Sequence, residues 1–230
     1  MRTILVVCAH PDDVDFGAAG AVATWTDAGD RVVYCLVTDG EAGGGEAVPA
    51  GLAETRRSEQ LTAAKLVGVE DVRFLGYPDG LLAASPELRR DLTRVIREVR
   101  PDRVVTHSPV RNVRRIKVSH PDHLAVGEAA FCAVYPDARN RSIHPGLAAE
   151  GLEPHTVAEI WVMTGRDATT YVDITGAIDR KAAALAAHRS QGLATEAAER
   201  TARASAQTLA RAAGLPEGRY AEAFQVVQID

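Results

Sequence analysis

The 230-residue chain is 46% hydrophobic and 25% charged, with a formal net charge of -5 and three cysteines. This is the composition of a soluble globular chain able to bury a core, and its negative balance gives no electrostatic reason to expect nucleic acid or an anionic membrane as a partner. No apolar stretch is long enough to span a bilayer, and Met1-Arg2 leads at once into a strand pattern rather than a signal peptide. Cys8, Cys35 and Cys132 lie in apolar runs without Cys-x-x-Cys spacing, so they read as reduced thiols of a cytoplasmic protein. Residues 4–8 form a short, continuous, β-branched run that predicts a buried strand. It ends in Ala9-His10-Pro11-Asp12-Asp13, and a small-residue helical stretch follows over 17–23.

The second strand is predicted over 31–38, and Asp39-Gly40 and Gly43-Gly44-Gly45 end it in a loop. A helix over 52–67 is expected to bury Leu61, Ala64 and Leu66 and to stop at Gly68. Arg56 and Arg57 lie in its first turns, where cations are unfavourable unless something rewards them. Residues 72–76 read as a third strand and Tyr77-Pro78-Asp79-Gly80 as a turn. A helix over 88–100, a strand over 103–106 and a basic loop with Arg111, Arg114, Arg115 and Lys117 follow. Beyond Pro121, which suits a first helical position, an apolar helix runs over 124–134. Residues 136–141 and 144–146 look irregular, and 157–163 and 171–174 look like strands. A helix is expected from Thr175, as N-cap, to about Ser190, then an Ala-rich helix over 195–213 and a strand over 222–229.

Strands alternating with helices predict an α/β fold. It is a Rossmann-like, mostly parallel sheet with helices on both faces, plus a smaller irregular C-terminal portion. We expect one domain over 1–230, with a core over 1–135 and strands and Ala-rich helices over 136–230 completing it. The C-terminal third offers little large apolar bulk, so it is expected to pack against a second copy in a homo-oligomer.

In open α/β sheets ligands bind at the carboxyl ends of the strands, where the first turn lies. A dinucleotide-binding turn would carry Gly-x-Gly-x-x-Gly there. This turn carries Asp12, Asp13 and Asp15, which repel a phosphate but, beside His10, suit a divalent cation. His10 and Asp13 are three apart, so one turn can present both on one side. His120-Pro121-Asp122-His123 repeats the spacing far along the chain. A site of mixed His and Asp is more often catalytic than structural.

These motifs resemble the LmbE-like (PIG-L) family of metal-dependent N-deacetylases. The likeness extends through Thr38-Asp39-Gly40-Glu41, residues 56–68, Tyr77-Pro78-Asp79-Gly80, Thr106-His107-Ser108-Pro109, His188-Arg189-Ser190-Gln191 and Tyr220-Ala221-Glu222-Ala223-Phe224. It implies a substrate-binding role for Arg56, a sugar-hydroxyl acceptor at Asp79, and oligomers. Two departures stand out. The family's frequent Glu after the Asp pair is Val14 here, followed by Asp15, and a Tyr that some relatives place two positions before the second histidine motif is Val118.

By spacing and by match to the motif, His10, Asp13 and His123 are the expected ligands of a Zn2+ or Fe2+ ion. Two neutral imidazoles and one carboxylate leave such an ion net positive, able to activate water and polarise a carbonyl. Asp12 then remains as general base, with His120 as general acid and Asp122 holding the His120 tautomer or its charged form. Arg111, with its basic neighbours, is expected to attract an anionic substrate group, or with His107 to stabilise an oxyanion. The expected activity is removal of an N-acetyl or other acyl group from a small molecule containing an amino sugar. The alternatives are a metal-dependent amidase acting on a non-sugar amide, such as a thiol conjugate or natural-product intermediate, and an inactive carbohydrate-binding relative.

Overall fold

The computed structural model describes residues 1–43, 48–114, 116–163 and 167–229. Gly44, Gly45 and Arg115 lie outside the described residues. Seven strands form one sheet: β1 Thr3–Cys8, β2 Arg31–Thr38, β3 Asp71–Tyr77, β4 Arg103–Thr106, β5 Glu159–Met163, β6 Thr170–Asp173 and β7 Ala221–Gln228, in the order β3-β2-β1-β4-β5-β7-β6. The first five pair in parallel, and β7 lies antiparallel between β5 and β6. The mostly parallel α/β sheet read from the sequence is thus the observed architecture.

The helices are α1 Asp13–Gly17, α2 Ala19–Asp27, α3 Leu52–Leu66, α4 Pro86–Val99, α5 Pro121–Cys132, α6 Pro145–Ala149, α7 Ile178–Ala186 and α8 Thr195–Ala212. They cover both faces of the sheet and give two cores. One gathers β1 and β2 side chains with α2, α3, α7 and α8; the other joins the opposite sheet face to α4 and α5. Burial on both faces explains why these strands read as continuous apolar runs. The chain leaves β1 toward β2 on one side and returns through β4 on the other, so the crevice between β1 and β4 is the topological switch point. No helix among the described residues is long and apolar enough to cross a membrane.

Three elements differ from the sequence-based expectation. In α3, Leu61 and Leu66 are exposed, and the buried face is Leu52, Arg56, Gln60, Ala63 and Ala64. This face covers the turn after β1, whose polar backbone needs donors and acceptors, so two polar side chains are buried where apolar periodicity placed leucines. Thr175 does not cap α7. It opens a 3-10 turn, Thr175–Ala177, anchored by Asp173 Oδ1, which accepts from the Thr175 N–H at 2.9 Å. The stretch read as irregular after α5 is kinked at Tyr135 (φ -141°, ψ 120°), within Ala133–Asp137, and then forms α6. Buried Arg97 donates to the carbonyl oxygens of Asp137, Ala138, Asn140 and Leu152 and fixes this return.

The helix after the first turn is broken at Ala18 (φ -146°, ψ 0°). The break strands carbonyls at the end of α1 and N–H groups at the start of α2. Lys181 Nζ donates to Asp15 O at 2.9 Å and Phe16 O at 2.8 Å. Glu222 accepts from the Gly20 and Ala21 N–H groups at 3.1 and 2.7 Å. The two side chains close a buried ion pair at 2.6 Å, so each end of the break meets the charge that suits it. Lys181→Met is expected to leave the Glu222 carboxylate buried without its cation and to lower stability by about 3 kcal/mol. Urea unfolding of the variant checks this; a shift under 1 kcal/mol would contradict it.

Candidate metal and active site

The turn after β1 sets the site. Asp12 has φ +94°, a left-handed conformation uncommon for a residue with a Cβ. Its N–H donates to Gln60 Oε1 at 2.8 Å. Arg56 Nη2 donates to Pro11 O at 2.6 Å and to Asp12 Oδ2 at 3.2 Å, and Nη1 donates to Gly40 O at 2.8 Å. The carbonyls reward the cation that the helix start alone would disfavour. Gly40 has φ +68°, and a Cβ there would stand 2.4 Å from Arg56 Nη1, so only glycine lets the guanidinium approach.

The left-handed turn separates two adjacent carboxylates. Asp12 lines a cavity of about 300 Å³ together with His10, Ala42, Gly43, Arg56, Asp79, Gly80, His120 and His123. Asp13 turns the other way. Its Oδ1 lies 3.0 Å from His123 Nε2; its Oδ2 lies 3.4 Å from His10 Nδ1 and 3.2 Å from His107 Nε2. His10 Nδ1 and His123 Nε2 face each other at 3.3 Å. Gly127 on α5 brings the histidines together: a Cβ there would stand 2.7 Å from His107 O, so α5 packs directly on the chain leaving β4.

His10, Asp13 and His123 converge their donor atoms closely enough to hold one metal ion, and so, separately, do His10, His120 and Asp122. The hydrogen bonds favour the first set. His10 Nε2 lies 3.0 Å from Asp79 Oδ1 and 3.3 Å from Asp122 Oδ2. A proton held there leaves the Nδ1 lone pair toward Asp13 and His123, the arrangement that orients metal-binding histidines. Asp122 is already used: its Oδ2 accepts from the Gly80 N–H at 2.7 Å and its Oδ1 from the Leu82 N–H at 3.2 Å. The donor chemistry of the first set therefore fits a divalent ion.

Charge points the same way. Burial opposes a proton on His10, but hydrogen bonds and charge from Asp13 and Asp79 outweigh it and push its pKa up to about 11. Burial also opposes the Asp13 charge, yet His123, His107 and the His10 hydrogen bond hold that carboxyl well below the usual range. A cage that draws a proton onto His10 this strongly is also one that accepts a metal cation in its place. Burial, then Asp13, pushes Asp12 up to about 7, against the pull of Arg56, His188 and His10. His120 sits below its ordinary value, first through burial and then through the charge of His10.

His120 caps α5, and its Nδ1 accepts from the Asp122 N–H at 3.3 Å. That bond places the proton of the neutral ring on Nε2. The tautomer is thus held by the Asp122 backbone, while its carboxylate braces His10 and the 80–82 turn. Asp79 lines the cavity; its Oδ2 accepts from the Ala42 N–H at 2.9 Å, and its own N–H donates to Glu41 Oε1 at 2.8 Å. Arg111 stands apart: it is exposed, outside the cavity lining, and donates to Ser119 O at 3.4 Å.

Three further buried residues stand behind the donor cluster, and of these only Gln60 was not singled out from the sequence. His107, one of the two groups expected to stabilise an oxyanion, lies against Asp13 and the Ala9 N–H. Gln60 gave no signal except its place four residues after Arg56. Asp15, grouped in the sequence with Asp12 and Asp13 as suited to a divalent cation, is fully buried, 2.8 Å from His188 Nε2.

The structure thus sets a His/Asp donor cluster at the switch point of a mostly parallel α/β sheet. The family described as PIG-L, GlcNAc-PI de-N-acetylase, matches residues 5–134, and the chain belongs to this family. It is similar to the diacetylchitobiose deacetylase of Thermococcus kodakarensis, at 33% identity over 83% of this chain and 70% of that protein. Among solved structures it is similar to the N,N'-diacetylchitobiose deacetylase of Pyrococcus horikoshii complexed with its inhibitor. That likeness has a TM-score of 0.89 at 30% identity, over 99% of this chain and 84% of that one. It is also similar to GalB, the 4-carboxy-2-hydroxymuconate hydratase of Pseudomonas putida KT2440, with a TM-score of 0.80 at 25% identity over 100% of this chain and 98% of that one.

The purified protein is expected to carry about one divalent ion per chain, as a three-ligand catalytic site does. His123→Ala is expected to lose most of it, measured by elemental analysis after dialysis. Full occupancy in that variant would remove His123 from the ligand set.

Proposed function

We propose that the protein is a metal-dependent N-deacetylase acting on a small molecule that contains an N-acetylated amino sugar. The observation that carries this reading is the division of the Asp pair: Asp12 and His120 line the cavity beside the donor cluster, while Asp13 is turned into it. Amide hydrolysis needs a base for water and an acid for the departing nitrogen. A pure binding site needs neither. The deacetylases of the family support the acyl chemistry, and a polar cavity of about 300 Å³ suits one sugar-sized group.

The residues divide the work as follows. His10, Asp13 and His123 hold the ion, zinc or ferrous iron, which when bound supplies positive charge that acidifies water and polarises the acyl oxygen. Asp12 takes a proton from water as its oxygen bonds to the acyl carbon. Arg56 keeps that carboxylate aimed into the cavity. His120 serves as the acid in its charged form: it gives the Nε2 proton to the amide nitrogen as the C–N bond breaks, and the proton held by Asp12 then restores it, so that acetate and an amine leave with the site returned to its starting charge. Asp79 accepts a hydrogen bond from a sugar hydroxyl, and Arg111 is placed to meet only a long or anionic substituent outside the cavity.

The test is acetate release from a panel of N-acetylated amino sugars with and without chelator. Release that the chelator abolishes is expected. Turnover of simple non-sugar amides alone would favour the amidase reading, and hydration of an unsaturated acid without acetate release would place the protein with the hydratase, since fold alone does not choose the reaction.

Asp12→Asn is expected to keep the metal and lower kcat by roughly a hundredfold or more, the scale of a lost general base. Asp13→Asn is expected instead to weaken metal binding, with partial rescue by added ion. A metal titration with initial rates separates them; the opposite pattern would exchange the two roles. Activity is expected to fall on the acid side at or below about pH 7, because burial raises Asp12 toward that value and its base form is lost as pH drops. Loss of that acid limb in Asp12→Asn would confirm its origin.

A further inference from the structure

The left-handed turn at Asp12 is held from a place the cavity does not reach. We infer that Gln60 is a positioning residue for Asp12, and that the buried Asp15–His188 pair anchors it by fixing the orientation of its amide. The inference rests on the reading of Asp12 as general base.

Gln60, Asp15 and His188 are each 0% exposed, and none of them lines the cavity. Gln60 Oε1 accepts from the Asp12 N–H at 2.8 Å, while its Nε2 donates to Asp15 Oδ2 at 3.0 Å. The same Asp15 oxygen faces His188 Nε2 at 2.8 Å. An ionised carboxylate only accepts, so Asp15 forces the NH2 end of the amide toward itself and the oxygen toward Asp12. A flipped amide would set NH2 against N–H at one end and oxygen against carboxylate at the other.

Asp12 needs such support. A residue with a Cβ at φ +94° is held only when its surroundings determine the conformation. Arg56 holds the Pro11 carbonyl and the Asp12 carboxylate, but the Asp12 N–H is held by Gln60. Both come from α3, one turn apart, so the helix grips the turn at two points. His188 arrives from the segment after α7 and ties the C-terminal third of the chain to the same turn. Displacement of a reacting group by about 1 Å from a remote change can cost a hundredfold in rate.

The experiment compares Gln60→Leu, Gln60→Glu, and Gln60→Glu combined with Asp15→Asn, each loaded with metal. Gln60→Leu removes both hydrogen bonds. It is expected to lower kcat by ten- to a hundredfold with KM and metal content unchanged, and to speed amide exchange at the Asp12 N–H at least tenfold. Gln60→Glu faces Asp15 with a second carboxylate and is expected to lose activity similarly. In the double variant the Asn NH2 donates to both the Glu carboxylate and neutral His188, so kcat and slow Asp12 exchange are expected to return to within threefold of wild type. If Gln60→Leu does not fold, the single and double Glu variants decide.

Unchanged Asp12 exchange and kcat in Gln60→Leu, or no recovery in the double variant, would overturn the inference. So would a loss of metal matching the loss of rate. The exchange readout does not depend on the substrate: if wild type releases no acetate but Asp12 exchange responds as expected, the functional reading fails and the anchoring of the turn stands.

Discussion

The site depends on one backbone angle. At φ +94°, Asp12 leaves the path that would send it and Asp13 along a regular helix, and the two carboxylates part. One joins the imidazoles of His10 and His123; the other opens on the cavity beside Arg56. Without that angle, two adjacent, chemically identical side chains would compete for one cation. The fold maintains it with buried polar groups on α3, which accounts for a helix whose inward face carries Arg56 and Gln60 rather than leucines. Such strain is found where surrounding structure over-determines it, commonly at functional sites.

Charge balance is the second constraint. Asp13, Asp79 and Asp122 all lie within 3.4 Å of a His10 ring nitrogen. So many carboxylates in a largely buried space require positive charge nearby, whether a proton on His10 or a metal ion. The braces make the location specific: Asp122 is committed to two backbone N–H groups, and Asp79 to the Ala42 N–H. What remains uncommitted is the lone-pair side of His10, facing Asp13 and His123.

Much of this was legible in the sequence because it is local. Histidine and aspartate three apart at a strand end, twice, showed which side chains could meet, and alternating strands and helices showed that both turns reach one sheet edge. What was hidden depends on distant residues. The burial of Gln60 and Arg56 reversed the expected apolar face of α3, because the turn that α3 covers is polar. The Asp15–His188 contact joins residues 173 positions apart, a pairing no local pattern carries. Asp122 was expected to hold the His120 tautomer or its charged form; its carboxylate lies instead on His10 and the 80–82 turn, and the His120 ring is met by the Asp122 backbone amide, which carries no sequence signal. Arg111 was grouped with a basic loop by composition, but the loop carries it outside the cavity.

The most direct measurement is the coordination of the bound ion, by anomalous diffraction from crystals of the metal-loaded protein. The ion is expected on His10 Nδ1, one Asp13 oxygen and His123 Nε2, at about 2.0–2.2 Å from each, with Asp12 outside its coordination sphere and still in the left-handed turn. An ion on the other side of the His10 ring, held by Nε2 with His120 and Asp122, or an ion bound by Asp12, would contradict the division of the two aspartates from which the function is argued.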